Sequence, residues 1–299
     1  YSMSGARMGG SGAALMNTPA GDILVVNDIN PSEVARLSTI RVAGLATATG
    51  GHTSHTSIVA QAMEIPAVVG VKDLVASVNN GDMLIIDGRT GHVIIHPDED
   101  SLNFYRTRQR MEQSFNAEIV RSSHLPAITL DDHCITVMGN LELEEELPAI
   151  MSYGGEGIGL YRTEFMYMNR GSLPGEEELF ETYRRVVESV SPQPVVIRTL
   201  DLGYDKALDD VLKNTGSKEI KNNQALGLRG IRYCLRNRSV FKTQLRAILR
   251  ASAFGEVKIM LPMVSSIDEL RKTRALIADI QHSLEKAGIA YAPRIDLGI

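Results

Sequence analysis

The sequence predicts an α/β protein in two parts: a small α/β domain over residues 1–100 and, from 126 to 299, the first half of a (β/α)8 TIM barrel, joined by a linker helix over 101–125. Three observations predict it. Short apolar runs of strand character alternate with helix-like stretches along the chain. The stretch from Asp98 to Ser123 is charged and free of Gly and Pro. After residue 126 the strand and helix signals repeat as βα units, the pattern of parallel strands joined by helices.

In the first part, residues 1 to about 20 are small and glycine-rich and read as a linker or strand lead-in. Ile23–Val26 is a short buried strand, Asn30-Pro31-Ser32-Glu33 a helix start with Pro near the first helical position, and Val42–Ala48 a second buried strand. Pro66–Gly70 is a third strand, and Val71–Asn80 a short helix or turn. Asp82–Asp87 and His92–His96 flank Gly88-Arg89-Thr90-Gly91 as a β-hairpin. Leu102, Tyr105, Met111, Phe115 and Ile119 line one face of the long helix loosely. In the second part, strands are expected at 135–140, 157–162, 195–201 and 257–263, with another starting at Ile295. Helices are expected at 142–152, 176–189, 239–253 and 266–287. Four βα units and the start of a fifth strand fall short of the eight a closed barrel needs. The chain therefore reads as a piece of a longer protein.

Composition bounds the function. The chain is 43% hydrophobic and 22% charged, as in ordinary globular proteins. A net charge of −5 gives no support for binding nucleic acid or an anionic membrane. No apolar run approaches the ~20 residues of a membrane span. No secretory signal is read, and Cys134 and Cys234 have neither metal spacing nor a disulfide pattern. A cytoplasmic location is expected.

The chemistry concentrates in two places. Gly50-Gly51-His52-Thr53-Ser54-His55-Thr56-Ser57 lies between a strand and a small-residue helical run. A helix N-terminus offers unpaired N–H groups and partial positive charge, which favour phosphate. His55, nearest the helix start, is either a nucleophile whose phosphorylated form those donors hold, or a helix cap with Ser57 satisfying the N–H groups. The second place is the set of strand ends in the βα units, where barrel active sites are built. Arg162 and Arg198 end consecutive strands, Lys206 follows Arg198, and Arg229 follows Leu226-Gly227-Leu228. Guanidinium forks there clamp a phosphate or carboxylate; taken singly, each Arg is an ordinary surface or salt-bridge residue.

The run Gly50-Gly51-His52-Thr53-Ser54-His55-Thr56-Ser57, with Ile65–Gly70 after it, resembles the phosphohistidine domain of enzyme I, the phosphoenolpyruvate-protein phosphotransferase family. Gly155–Phe165, Arg198–Lys206, Ala225–Arg232 and Gln244–Ser252 are similar to further stretches of that family. The resemblance implies a swivelling domain whose His55 takes the phosphoryl group of phosphoenolpyruvate (PEP) and passes it to a histidine of a small HPr-like phosphocarrier, releasing pyruvate. It implies Mg²⁺ as cofactor, PEP contacts at Arg162, Arg198 and Arg229 with Lys206 lining the same pocket, and a homodimer formed through the complete barrel. His52 stands where relatives often carry Arg or Lys and reads as a rim residue.

Pyruvate phosphate dikinase and PEP synthase share the swivelling histidine, but Thr56-Ser57 and Gly203-Tyr204-Asp205-Lys206 favour enzyme I. A phosphorelay module without turnover is the non-enzyme alternative. The sequence departs from the family at Tyr204, where glycine is usual, and at Asn223-Gln224, where Asn-Pro is common. The family's Mg²⁺-binding Glu and Asp and its catalytic Cys are expected beyond Ile299, and its carrier-docking helical subdomain is not read here.

Overall fold

The computed structural model describes residues 1–9, 21–29, 42–51, 55–167, 172–202 and 227–299. The chain divides into two compact units, Tyr1–Ser122 and Ser123–Ile299.

The first unit is built on a six-stranded mixed sheet. Its strands are β1 (Ser2–Gly9), β2 (Ile23–Val26), β3 (Gly44–Thr47), β4 (Ala67–Val68), β5 (Met83–Asp87) and β6 (His92–Ile95), in the order β4-β3-β2-β1-β5-β6. The pairs from β1 to β4 are parallel, and β1–β5 and β5–β6 are antiparallel. Every residue of β2 and β3 is buried, as continuous apolar runs require when both sheet faces are covered. Side chains alternate between two cores: Ile23, Val25 and Ala46 pack with Leu74, Leu84 and Ile86, while Leu24, Val26 and Leu45 pack with Ala60. Ala60 comes from helix α1 (His55–Ala62) and Leu74 from the one-turn helix α2 (Leu74–Ser77).

Two expectations change here. The small-residue stretch at the N-terminus is not a linker where it is described: β1 lies inside the sheet, between β2 and β5. Its buried side chains are Ser2 and Ala6; a strand held by ladders on both sides needs no bulky apolar pattern. The helix expected over 71–80 forms only over the four residues of α2. Asp73 before it and Gly81 after it have positive φ, which breaks the helical path. The helix expected from Asn30 lies outside the described residues.

The β5–β6 turn is held by the buried Asp87, whose carboxylate accepts from the N–H groups of Arg89 (3.0 Å) and Thr90 (3.1 Å) and from the Tyr105 hydroxyl (3.3 Å). Tyr105 is the buried residue of α3 (Glu99–Ser123), a 25-residue helix about 37 Å long.

The second unit carries five consecutive parallel strands, β9 (Gly139–Leu141), β10 (Ile158–Tyr161), β11 (Val195–Arg198), β12 (Val257–Met260) and β13 (Asp296–Gly298), each beside the next. Between them run α4 (Leu147–Ser152), α5 (Glu176–Val190), α6 (Ile231–Arg236) with α7 (Arg238–Ala251), and α8 (Ile267–Lys286). On α5, Leu179, Phe180, Tyr183, Val186, Val187 and Val190 form one buried stripe against the sheet. Ser266 caps α8, accepting from the Glu269 N–H, while Glu269 returns to the Ser266 N–H.

The strand expected over 135–140 is two strands. Cys134–Ile135 (β8) pairs antiparallel with Ala127–Ile128 (β7) in a separate hairpin, and only Gly139–Leu141 enters the sheet. The helix expected over 142–152 begins as a 3-10 turn at Glu144–Glu146, because the Glu146 carboxylate folds back onto the N–H groups of Glu142 and Leu143.

Candidate functional site

The glycine turn of the first unit sits at the C-terminal end of β3, with His55 as the first residue of α1. The loop is tied to both neighbouring strand ends. The N–H and hydroxyl of Thr49 donate to the Asn27 carbonyl after β2 (3.0 and 3.1 Å), and Gly70 N–H after β4 donates to the Thr49 carbonyl (3.3 Å). The buried Thr47 hydroxyl donates to the same carbonyl (2.6 Å). Gly70 has φ +74°, and a Cβ there would lie 2.8 Å from the Gly50 carbonyl oxygen; glycine is required at this approach. Thr56 is buried and reaches the Ile29 carbonyl (3.4 Å), and the Ser57 hydroxyl donates back to Gly51 (2.6 Å). These bonds fix where the helix starts. A cavity of about 700 Å³ opens beside it, lined in part by Gly51, Ser57, Gln61 and the Gly88–Gly91 turn. His52, Thr53 and Ser54 lie outside the described residues.

In the second unit, Arg162 follows β10, Arg198 ends β11, and Arg229 stands just before α6. Gly230, at φ +57°, has room for no Cβ: one would lie 2.9 Å from the Pro262 carbonyl oxygen. That contact, with the Ile231 N–H donating to the same carbonyl (3.1 Å), draws Arg229 to the end of β12. Lys206 lies outside the described residues.

The arginines do not face open space. Arg162 donates to Glu142, which follows β9. Arg198 donates to Glu164 at 2.9 Å and lies 3.5 Å from an Asp201 oxygen. Arg229 grips Asp201 with two bonds of 2.9 and 3.2 Å. Asp201, itself buried, thus bridges Arg198 and Arg229, and its own N–H donates to Glu164 (3.1 Å). Among the described residues three guanidinium groups meet three carboxylates at adjacent strand ends, so the charge of these three arginines is balanced. Glu142, Glu164 and Asp201 were not among the expected site residues; the signal was their place at or next to strand ends, Glu164 and Asp201 in the runs Arg162-Thr163-Glu164 and Arg198-Thr199-Leu200-Asp201.

Donors remain. The Nε atoms of Arg162 and Arg198 are buried with no hydrogen-bond partner among the described residues, as is the Thr199 hydroxyl. A buried donor left unpaired costs about 1–3 kcal/mol, so an anion with several acceptor oxygens gains by entering here. Among the described residues, no group of three or more His, Cys, Asp or Glu could hold a metal ion. Glu142, Glu164 and Asp201 already serve arginines, so none of these three carboxylates is left to hold the Mg²⁺ that the resemblance implies. Burial pushes the Cys234 thiol up, followed by the influence of Asp201; its Sγ lies 3.6 Å from the Leu200 carbonyl oxygen, a structural position. No helix among the described residues is long and apolar enough to cross a membrane.

Residues 116–299 match the PEP-binding domain of PEP-utilising enzymes, and residues 18–91 match the mobile domain of PEP-utilising enzymes. The phosphoenolpyruvate-protein phosphotransferase of Geobacillus stearothermophilus is 41% identical over 277 residues, covering 93% of this chain and 47% of that protein. That of Staphylococcus aureus is 40% identical, covering 93% and 48%. The chain therefore spans about half the length of the curated relatives it matches. A solution NMR structure of an Enzyme I protein is 37% identical over 33% of this chain and 40% of that one, with a TM-score of 0.31.

Proposed function

This chain belongs to the PEP-utilising enzymes, and from that premise we propose that it supplies the phosphohistidine and PEP-binding portions of a phosphoenolpyruvate-protein phosphotransferase. In this reading the first unit is the swivelling domain, α3 the linker helix, and the second unit an incomplete (β/α)8 barrel. The strand order supports the barrel: each strand is added beside the last, whereas a doubly wound sheet reverses direction.

PEP binds at the strand ends through Arg162, Arg198 and Arg229, and the family resemblance adds Lys206 to the same pocket. The observation that carries this is the Arg198–Asp201–Arg229 bridge, with its neighbouring buried Nε donors. Carboxylates hold the forks in place before the substrate arrives, so little reorganisation is needed when it binds. A neutral imidazole nitrogen of His55 attacks phosphorus in line. The P–N bond forms as the P–O bond to the enol oxygen breaks, and the electron pair leaves with pyruvate enolate, which takes a proton at carbon to become pyruvate. Charge on the transferring group is spread over its equatorial oxygens, and the arginines oppose it. A histidine nitrogen of an HPr-like carrier then attacks phosphorus and regenerates free His55. Mg²⁺ as cofactor, held by residues other than the three described carboxylates, a homodimer and a cytoplasmic location belong to the same reading.

The test is to mix the whole protein with PEP and an HPr-like carrier and count products. One pyruvate should appear per phosphorylated carrier histidine. Pyruvate released without phosphorylated carrier would leave a PEP hydrolase or a dikinase-type enzyme instead.

A further inference from the structure

Below the arginine cluster lies a buried amide that the mechanism does not use. Gln244 sits on α7 and is fully buried, among Phe241, Leu245 and Ile248 on an otherwise apolar face. Its Oε1 accepts from the Leu200 N–H at 2.9 Å, and its Nε2 donates to the Thr163 hydroxyl (3.0 Å) and to the Tyr183 hydroxyl (3.2 Å). The orientation is forced: a backbone N–H can only donate, so the amide oxygen must face Leu200 and the nitrogen must face the hydroxyls. The Thr163 hydroxyl, receiving from Gln244, donates onward to the Arg198 carbonyl at 2.9 Å. The Leu200 carbonyl is held on its other side by Cys234.

The chain of bonds has a definite outcome. Thr163 adjoins Arg162, and Leu200 adjoins Asp201. One amide therefore cross-links the segments that follow β10 and β11, and through Thr163 it touches the backbone of Arg198 itself. Of its three partners, Thr163 adjoins Arg162 and relays to Arg198, Leu200 adjoins the Asp201 that holds Arg229, and Tyr183 anchors the amide to α5.

We infer that Gln244 is a positioning residue for PEP: it holds the C-terminal ends of β10 and β11 in the register that aims Arg162, Arg198 and the Asp201-bound Arg229 at one anion. The inference rests on the PEP-binding reading above. A purely structural Gln would lower stability when replaced and leave substrate affinity alone. A positioning residue shifts the substrate constants, because a misplacement of about 1 Å at such a site can reduce the rate about a hundredfold.

The experiment uses the whole protein and PEP itself, following pyruvate release with carrier in excess. Gln244→Met, of similar volume but without donor or acceptor, should raise KM for PEP roughly tenfold or more, with a smaller fall in kcat. Gln244→Glu should recover most of that loss. Burial favours its protonated form, which again accepts from Leu200 and donates to Thr163. Ile280→Ala, a cavity mutation in α8 away from the arginines, should lower the melting temperature and leave KM unchanged. KM unchanged in Gln244→Met, or no difference between the Met and Glu variants, would overturn the inference. If Gln244→Met fails to fold, Thr163→Val becomes the test: it removes the relay to Arg198, and an unchanged KM there would equally overturn it. Arg198→Ala is the control for the underlying reading. Unchanged KM in that variant would remove PEP binding at these strand ends and the role of Gln244 with it. A loss in Arg198→Ala without one in Gln244→Met would remove Gln244 alone.

Discussion

Replacing Asp201 by Asn tests whether the arginines are held by buried carboxylates. The Asp201 side chain is 7% exposed, against 18% for Arg198 and 32% for Arg229. Removing one partner of a buried ion pair typically costs about 3–5 kcal/mol. Two features reduce that here. Arg229 is about a third exposed, so water takes over part of its solvation, and Asn keeps one acceptor oxygen. Its amide nitrogen, however, faces a second guanidinium donor and cannot accept from it. The expected loss is about 2–3 kcal/mol, which for a domain of this size lowers the melting midpoint by about 5–10 °C. Differential scanning calorimetry reads it directly. Arg185→Gln is the comparison: its pair with Glu144 is 53% and 31% exposed, and such surface pairs are worth about 0–1 kcal/mol. A midpoint for Asp201→Asn within about 1 °C of the parent would refute the buried bridge.

Two further outcomes are expected, one in each unit. Arg162→Ala and Arg198→Ala in the whole protein should weaken PEP binding about ten- to a thousandfold by calorimetry, since each removes a charge-assisted donor fork, and Lys should restore it only in part. Burial works to raise the Asp87 carboxyl pKa, but bonds from the Thr90 side chain and N–H, the Arg89 N–H and Tyr105 outweigh it, and the pKa falls below the ordinary value. Its stabilisation of the first unit is thus present above about pH 4, the unfolded value, and is lost as pH falls through the lower native one. Acid titration of Asp87→Asn should lack that part of the loss.

The periodic elements were legible because each carries its own signal. Ser266 with Glu269 marks the start of α8, and the Leu179–Val190 stripe marks α5. Continuous apolar runs marked β2, β11 and β12. β1 was hidden because its place depends on ladders from both sides and not on apolar side chains. The 135–140 stretch misled because the alternation of Ile135 and Val137 suits any strand and does not name its partner. The arginines were legible by position at strand ends. Their neutralisation by Glu142, Glu164 and Asp201 was not, because it joins segments as far apart as Glu164 and Arg198. Gln244 is a polar residue on an apolar helix face; its partners Thr163, Tyr183 and Leu200 lie 44 to 81 residues away, which local sequence does not specify.

Under the proposed function His55, at the start of α1, carries the phosphoryl group. Incubating the whole protein with PEP labelled in the phosphoryl group, then quenching in alkali and in acid, tests it most directly. Alkali-stable, acid-labile label is expected in the parent protein and in His52→Ala, and none in His55→Ala. Label retained in His55→Ala would contradict it.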